Sequence, residues 1–292
     1  MTRPALSALR ALEIIDFLSQ APSHAYTLSE LVRHTGTNVA SLHAVLAVLM
    51  RRGYLVRHPV HKTYRLSPAL AALGEAVAAN DPILGHARNA ARNLAERTGL
   101  EVTVTARAGE DAVCLARAAG ATAPRTSMSV GQRLTLRPPL GTLYYAWSEP
   151  DEVEDWIARG DWSDAARARA ALDLVRSRGF LVTVGSSLHD ALAEQRDDHQ
   201  PRARSNENLA RLLKGLERAV YQPERIEPGE SHAVDLISAP IFDHTRQATY
   251  AMNLTGFAQD LTGEDILRHA RLLTEECDGV MRDSGVHGAP RR

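Results

Sequence analysis

The chain has 292 residues, 44% hydrophobic and 24% charged, with a formal net charge of −1 and two cysteines. That length predicts two domains, and the composition predicts a soluble globular protein rather than a disordered or fibrous one. No run of about 18 apolar residues is present to span a bilayer, and the first residues lack a secretory apolar core. Cys114 and Cys277 lie far apart, so buried thiols in a reducing cytoplasm are expected rather than a disulfide or a metal pair.

Charge is unevenly spread. Through Ser67 there are eight Arg or Lys residues against Glu13, Asp16 and Glu30, and the remainder is net acidic. A basic head on an acidic body predicts a polyanionic partner for the head. Ser7 to Gln20 has helical apolar spacing, with Leu9, Leu12, Ile15 and Leu18 expected on the buried stripe. Thr27 and Glu30 have capping-box spacing at the start of a second, short helix, which Gly36 ends. Asn38 is placed to cap a third helix with Val39, Leu42, Val45, Leu46 and Leu49 as its apolar positions. Beyond Gly53, "YLVRH" and "KTYRL" alternate as two short strands about the turn "PVH". This order of helices, tight turn and hairpin predicts a winged helix-turn-helix.

In that geometry the first residues of the recognition helix lie nearest the bases of the major groove. They are Asn38, Val39, Ser41, Leu42 and His43. Asn38 and Ser41 suit base edges or phosphates, Val39 a thymine methyl, and His43 a phosphate or purine. Asn38 equally suits a cap alone, and Ser41 a solvent-facing position. Arg51 and Arg52 close the helix, where they also complement its dipole. The wing turn carries Arg57, His58, His61 and Lys62, set either against DNA or in a solvated turn.

Farther on, Ser67-Pro68 opens the nearly uncharged helix "PALAALGEAVAAN", expected to pack on a second subunit or the neighbouring domain. Asp81-Pro82 opens a helix running to about Arg97. Strands are predicted at "LEVTVTARA", "DAVCLARAA", "TSMSVG", "FLVTVG", "HAVDLISAPIFD" and "QATYAMNLTGF". Helices are predicted at 141–148, 150–159, 164–178 and from Gly263 to about Ser284, and 187–220 is charged and helical with a disordered-looking middle. No Gly-x-Ser-x-Gly elbow, phosphate loop or His-Glu-x-x-His occurs, and His189, His199, His232 and His244 are dispersed. No catalytic residue, metal or cofactor is therefore assigned.

The segments "SALRALEIIDFLS", "LSELVRHTGTNVASLHAVLAVLMRRGYL", "KTYRLSPALAALG", "SVGQRLTLRPPLGTLYYAW", "LDLVRSRGFLV" and "LISAPIFDHTRQATYAMNLTGF" stand in an order and spacing that resemble an IclR-family transcriptional regulator over about residues 5–284. The resemblance implies an α+β chain. It has a winged helix-turn-helix DNA-binding domain (1–67), a linker helix (68–80) and a GAF-like α/β effector-binding domain (81–286) with an insertion at about 187–230. It also implies a palindromic double-stranded DNA operator, a small-molecule effector, self-association as a homodimer or tetramer, and no membrane. Val39, Ala40, Ser41 and Ala44 stand where the family carries a basic residue, hydroxyls and an arginine, which implies a different operator or heavier reliance on the wing and other flanking basic residues. In the sensor domain Pro139, Leu140 and Gly141 match the turn that caps a family ligand, and Pro240 matches a pocket strand position. Asn253 and Thr255 match two inward polar positions, which strand alternation puts on one face; Val130, Leu134 and Leu143 would form the apolar wall. Asn253 and Thr255 suit an organic acid, while Pro138 and Pro139 remove backbone donors and favour a bulkier catabolite. The competing reading is a non-catalytic interaction or sensor module with weakened DNA binding, which salt dependence would separate.

Overall fold

A computed structural model describes residues 5–20, 24–120, 128–160, 165–185 and 222–286. The chain forms two compact units that meet in sequence at Asp81 and Pro82.

The first unit contains α1 (Leu6–Gln20), α2 (Leu28–Thr35), α3 (Val39–Arg51), β1 (Leu55–Arg57), β2 (Tyr64–Leu66), a 3-10 turn at Pro68–Leu70 and α4 (Ala71–Asn80). The Glu30 carboxylate accepts from the Thr27 amide at 2.7 Å, and Thr27 Oγ1 accepts from the Glu30 amide at 3.3 Å, closing the capping box of α2. Gly36, at φ 62°, then turns the chain out of the helix in a conformation that glycine adopts without strain. The core joins Ile14, Phe17 and Leu18 of α1 to Leu31, Leu42, Leu46 and Leu49. The stripe expected on α1 is half covered: Leu18 is buried and Ile15 packs against the core, whereas Leu9 and Leu12, in the first half of the helix, are exposed. The wing pairs Leu55 with Leu66 and Arg57 with Tyr64. Tyr26 adds a rung to it, exchanging backbone bonds with Tyr64 at 3.0 and 2.7 Å. No residue of α4 is buried, and Leu73 and Val77 lie open on it.

The second unit contains α5 (Pro82–Thr98), β3 (Glu101–Ala108), β4 (Asp111–Ala119), β5 (Arg133–Thr135), α6 (Thr142–Tyr145), α7 (Pro150–Ala158) and α8 (Ala165–Arg178). It continues with β6 (Leu181–Val184), β7 (Ser231–His232), β8 (Val234–Phe242), β9 (Ala248–Thr255), β10 (Leu261–Thr262) and α9 (Gly263–Asp283). Six strands form one antiparallel sheet in the order β5-β4-β3-β9-β8-β6. One face packs Val102, Val104, Ile237, Met252 and Leu254 against α5 and α9. The other receives Tyr145, Trp156, Leu172 and Val175 from α6, α7 and α8.

Two expectations for this unit change. Residues 128–131 of the strand expected at "TSMSVG" form a turn, because Gln132 Oε1 accepts from the Ser129 amide and the Gln132 amide donates to Ser129 O, both at 2.9 Å. The helix expected over 141–148 is a single turn, Thr142–Tyr145, while the next expected helix, 150–159, stands as α7 with Pro150 in its first turn. The charged pattern at 187–220 lies outside the described residues, as does the expected insertion up to residue 221. Both cysteines are buried free thiols, and among the described residues no helix is long and apolar enough to cross a membrane.

Candidate nucleic-acid interface and sensor face

Helix α3 divides cleanly into two faces. Leu42, Val45, Leu46 and Leu49 hold it in the core. Opposite them Ala40, His43, Ala44, Ala47, Val48 and Arg51 are exposed at the spacing of one helical face. Of the residues assigned to the groove, Val39 is 55% exposed, and His43, Arg51 and Arg52 are also open to solvent. Leu42 is 0% exposed; the helical period carries it inward with Val45 and Leu46, so it cannot touch DNA. Asn38 acts as the cap, its Oδ1 accepting from the Ser41 amide at 2.8 Å, and Ser41 is partly covered.

The wing tip is held by its own backbone. The His58 amide donates to Thr63 O at 2.8 Å, and the Lys62 amide donates to His58 O at 3.0 Å. His58 Nδ1 accepts from the amides of Val60 and His61 at 3.2 and 3.1 Å. The Lys62 ammonium donates to Pro59 O, and Lys62 itself takes a left-handed φ of 56°. Arg57, His58, His61 and Lys62 all remain exposed. Beneath the tip a cleft of about 520 Å³ is lined by His24, Arg57, His58 and Arg65. His24 and Arg65 were not among the sequence candidates. Arg65 was legible as the outward neighbour of buried Tyr64; His24 reaches the wing only through the Tyr26–Tyr64 rung.

On the second unit, strand register aligns polar residues in rows on the face turned toward α6, α7 and α8. One row runs Thr183, Leu236, Thr255, Glu101; the next runs Leu181, Ser238, Asn253, Thr103, Arg117. Asn253 and Thr255 do share a face, but their chemistry differs. Asn253 is committed: its Oδ1 accepts from Ser238 Oγ, and its Nδ2 donates to Thr105 Oγ1 at 3.0 Å and Thr103 Oγ1 at 3.3 Å. Thr105 Oγ1 also lies 2.6 Å from the Tyr144 hydroxyl, whose ionisation burial pushes up. Thr255 Oγ1 is buried without a partner, and so are Thr183 Oγ1 in the same row and Arg117 Nη2 in the adjacent one. Arg117 is anchored on fully buried Glu101, and that hydrogen bond holds its guanidinium charged. Burial pushes the Cys114 thiol up to about 12, so it stays protonated.

The remaining candidates for an effector site separate. Leu143 is buried and Leu134 packs against the same cluster. Val130 is 51% exposed on the turn before β5, so it forms no part of an apolar wall. The carbonyls of Pro139 and Leu140 are occupied by Thr142 Oγ1 at 2.6 Å and Trp156 Nε1 at 3.0 Å. Gly141, at φ 98°, has Leu136 Cβ and Trp156 Nε1 3.1 Å from where a Cβ would sit. Pro240 lines a different cleft, beside Phe242 and Met281. No group of three or more potential metal ligands occurs among the described residues.

Residues 7–59 match the IclR helix-turn-helix domain. The DNA-binding transcriptional repressor YiaJ of Escherichia coli is 28% identical over 152 residues, which is 51% of this chain and 54% of YiaJ. The regulator XynR of the same organism is 25% identical over 142 residues, 48% of this chain and 56% of XynR, so the chain spans about half the length of the curated relatives it matches. Among solved structures, an IclR transcriptional regulator from Alicyclobacillus acidocaldarius superposes with a TM-score of 0.70 at 19% identity, covering 97% of this chain and 100% of that one. An IclR homolog from Microbacterium hydrocarbonoxydans, solved with 4-hydroxybenzoate, gives 0.64 at 14% identity, covering 96% and 99%. The first unit thus carries an IclR helix-turn-helix domain, and the chain as a whole shares the fold of solved IclR-type regulators.

Proposed function

We propose that the protein is a cytoplasmic, non-enzymatic transcription regulator that binds a palindromic double-stranded DNA site and releases or grips it under control of a small-molecule effector. The single observation that carries the DNA reading is the exposed face of α3 from Ala40 to Arg51, held by a fully apolar opposite face and set in one unit with the basic wing. A helix anchored on one side and open on the other is what a groove accepts. Half of the open face is alanine, so base contacts come from methyl groups and His43, and much of the affinity from Arg51, Arg52, Arg57 and Arg65 on phosphates. Two copies would pair through surfaces that include α4 and the uncovered Leu6, Leu9 and Leu12 of α1.

The effector reading rests on the sensor face. Thr255, Thr183 and Arg117 each keep a buried polar atom with no partner, and such atoms are costly to leave bare. A ligand that accepts hydrogen bonds, such as a carboxylate, would satisfy an atom of this kind, with Thr255 at the middle of the three. Asn253 serves this site by holding Ser238, Thr103 and Thr105 in register, rather than by touching the ligand. Ligand binding favours whichever arrangement of the two-subunit assembly it fits better.

Band shifts on the DNA upstream of the chain's own gene test the DNA reading. Ala44→Glu puts a carboxylate on the exposed face without disturbing the core, so it should abolish binding while thermal stability stays unchanged. Wild-type affinity should also fall steeply as salt rises. Unchanged affinity in Ala44→Glu would reject α3 as the reading helix.

A further inference from the structure

We propose that the cleft where β6 falls short of β8 is a second ligand site, separate from the sensor face, which takes a small ring-bearing monocarboxylic acid with its carboxylate on Arg178. The site arises from the sheet. β6 begins at Leu181 opposite Ser238, so β8 runs on from Ala239 to Phe242 beyond its end. There α9 meets the strand with sulfur: the Cys277 thiol donates to Ala239 O at 3.9 Å, and the Phe242 amide donates to Met281 Sδ at 3.4 Å. A cleft of about 290 Å³ remains between this edge, α9 and the end of α8. That is near the lower end of ligand-site volumes and suits a single ring.

Charge selects the ligand. Arg178 is partly buried, and its Nη2 donates to two neutral carbonyls, Pro223 O and Glu224 O, both at 2.8 Å. Its Nη1 is buried without a partner. Burial pulls its ionisation downward, with no carboxylate to restore it. Of the other ionisable groups of the cleft, Arg176 pairs with Asp173, and burial, aided by Glu275, pushes the Asp278 carboxyl upward against the pull of Arg282. Arg178 is thus a cation with a spare N–H in a partly desolvated place. A carboxylate supplies both the counter-charge and the acceptor. The walls select the rest of the molecule. Trp147 stands edge-on to Phe242 with ring centroids 5.0 Å apart, and Pro240 and Met281 complete an apolar surface on which a ring can lie.

Sodium benzoate is the probe, titrated calorimetrically into the full chain at fixed pH. Saturable binding of one benzoate per chain is expected, with a dissociation constant below about 1 mM. Arg178→Lys keeps the charge, but its single ammonium nitrogen cannot hold Pro223 O and Glu224 O and also place a donor where Nη1 stands, so affinity should fall at least about tenfold. Thr274→Trp fills the cleft from its rim without touching Arg178; the Thr274 hydroxyl bonds only carbonyls of its own helix, so the fold should tolerate the change. It should abolish binding. Thr255→Val, on the sensor face, should leave benzoate affinity unchanged. The proposal is overturned if no saturable heat appears up to about 10 mM. It is equally overturned if both Arg178→Lys and Thr274→Trp bind like wild type, or if Thr255→Val alone removes binding.

Discussion

Replacing Thr255 by valine should make the protein more stable. The Thr255 hydroxyl has under 1 Å² of exposed surface and no hydrogen-bond partner. A buried hydroxyl in that condition carries a desolvation cost of about 1–3 kcal/mol, and a methyl of the same shape removes it. A gain of about 1 kcal/mol is expected, which in a unit of this size raises the melting temperature by about 2–4 °C. Thr105→Val is the matched control on the same face. Its hydroxyl lies 2.6 Å from the Tyr144 hydroxyl and accepts from Asn253 Nδ2 at 3.0 Å, so the identical change deletes two bonds and strands a fully buried phenol. It should lose about 2–3 kcal/mol. Urea unfolding followed by tryptophan fluorescence reads both. If Thr255→Val destabilises as much as Thr105→Val, the Thr255 hydroxyl is already satisfied and the argument for a ligand on that row fails.

Three further outcomes are expected. The double variant Arg57→Ala, Arg65→Ala should weaken binding to all DNA sequences alike and reduce the slope of log affinity against log salt by about 2, measured by fluorescence anisotropy. The Thr27 amide holds the Glu30 carboxyl below its usual range, outweighing burial, with help from the Thr27 hydroxyl and the charges of His24 and Arg33. That contribution is complete above the ordinary glutamate range and disappears as pH falls through the lower folded value, so Glu30→Gln should flatten the acid limb of a melting-temperature profile. Gly141→Ala forces a side chain into φ 98° and 3.1 Å from Leu136 Cβ and Trp156 Nε1, and should cost about 1–3 kcal/mol by denaturant titration.

Local chemistry was readable in the residues. The Thr27–Glu30 box, the Gly36 stop, the Asn38 cap and the wing all depend on neighbours within a few positions, and each stands where its spacing placed it. Leu42 shows how a correct helix can still yield a wrong contact. It lies near the N-terminus, where groove contacts are made, yet it shares its face with Val45, Leu46 and Leu49. On α1 the stripe holds at Ile15 and Leu18 and fails at Leu9 and Leu12, because how far along the helix the cover extends depends on α2 and α3 rather than on α1 itself. The sensor face was harder. Asn253 and Thr255 look equivalent along β9, and only the register with β3 and β8 gives one three partners and the other none. Arg178 could not be singled out at all, since its loneliness depends on carbonyls at 223 and 224.

The alanine-lined side of α3 has an evolutionary meaning. Positions 40, 44 and 47 carry no weight in the fold, because the four apolar residues behind them secure the helix. On the proposed function, each is a blank socket facing a different base step. One codon change there could install an arginine, serine or glutamate and retarget the regulator to a new promoter without a penalty in stability. Descendants of this chain would then diverge first in which genes they address, and only later in what they sense.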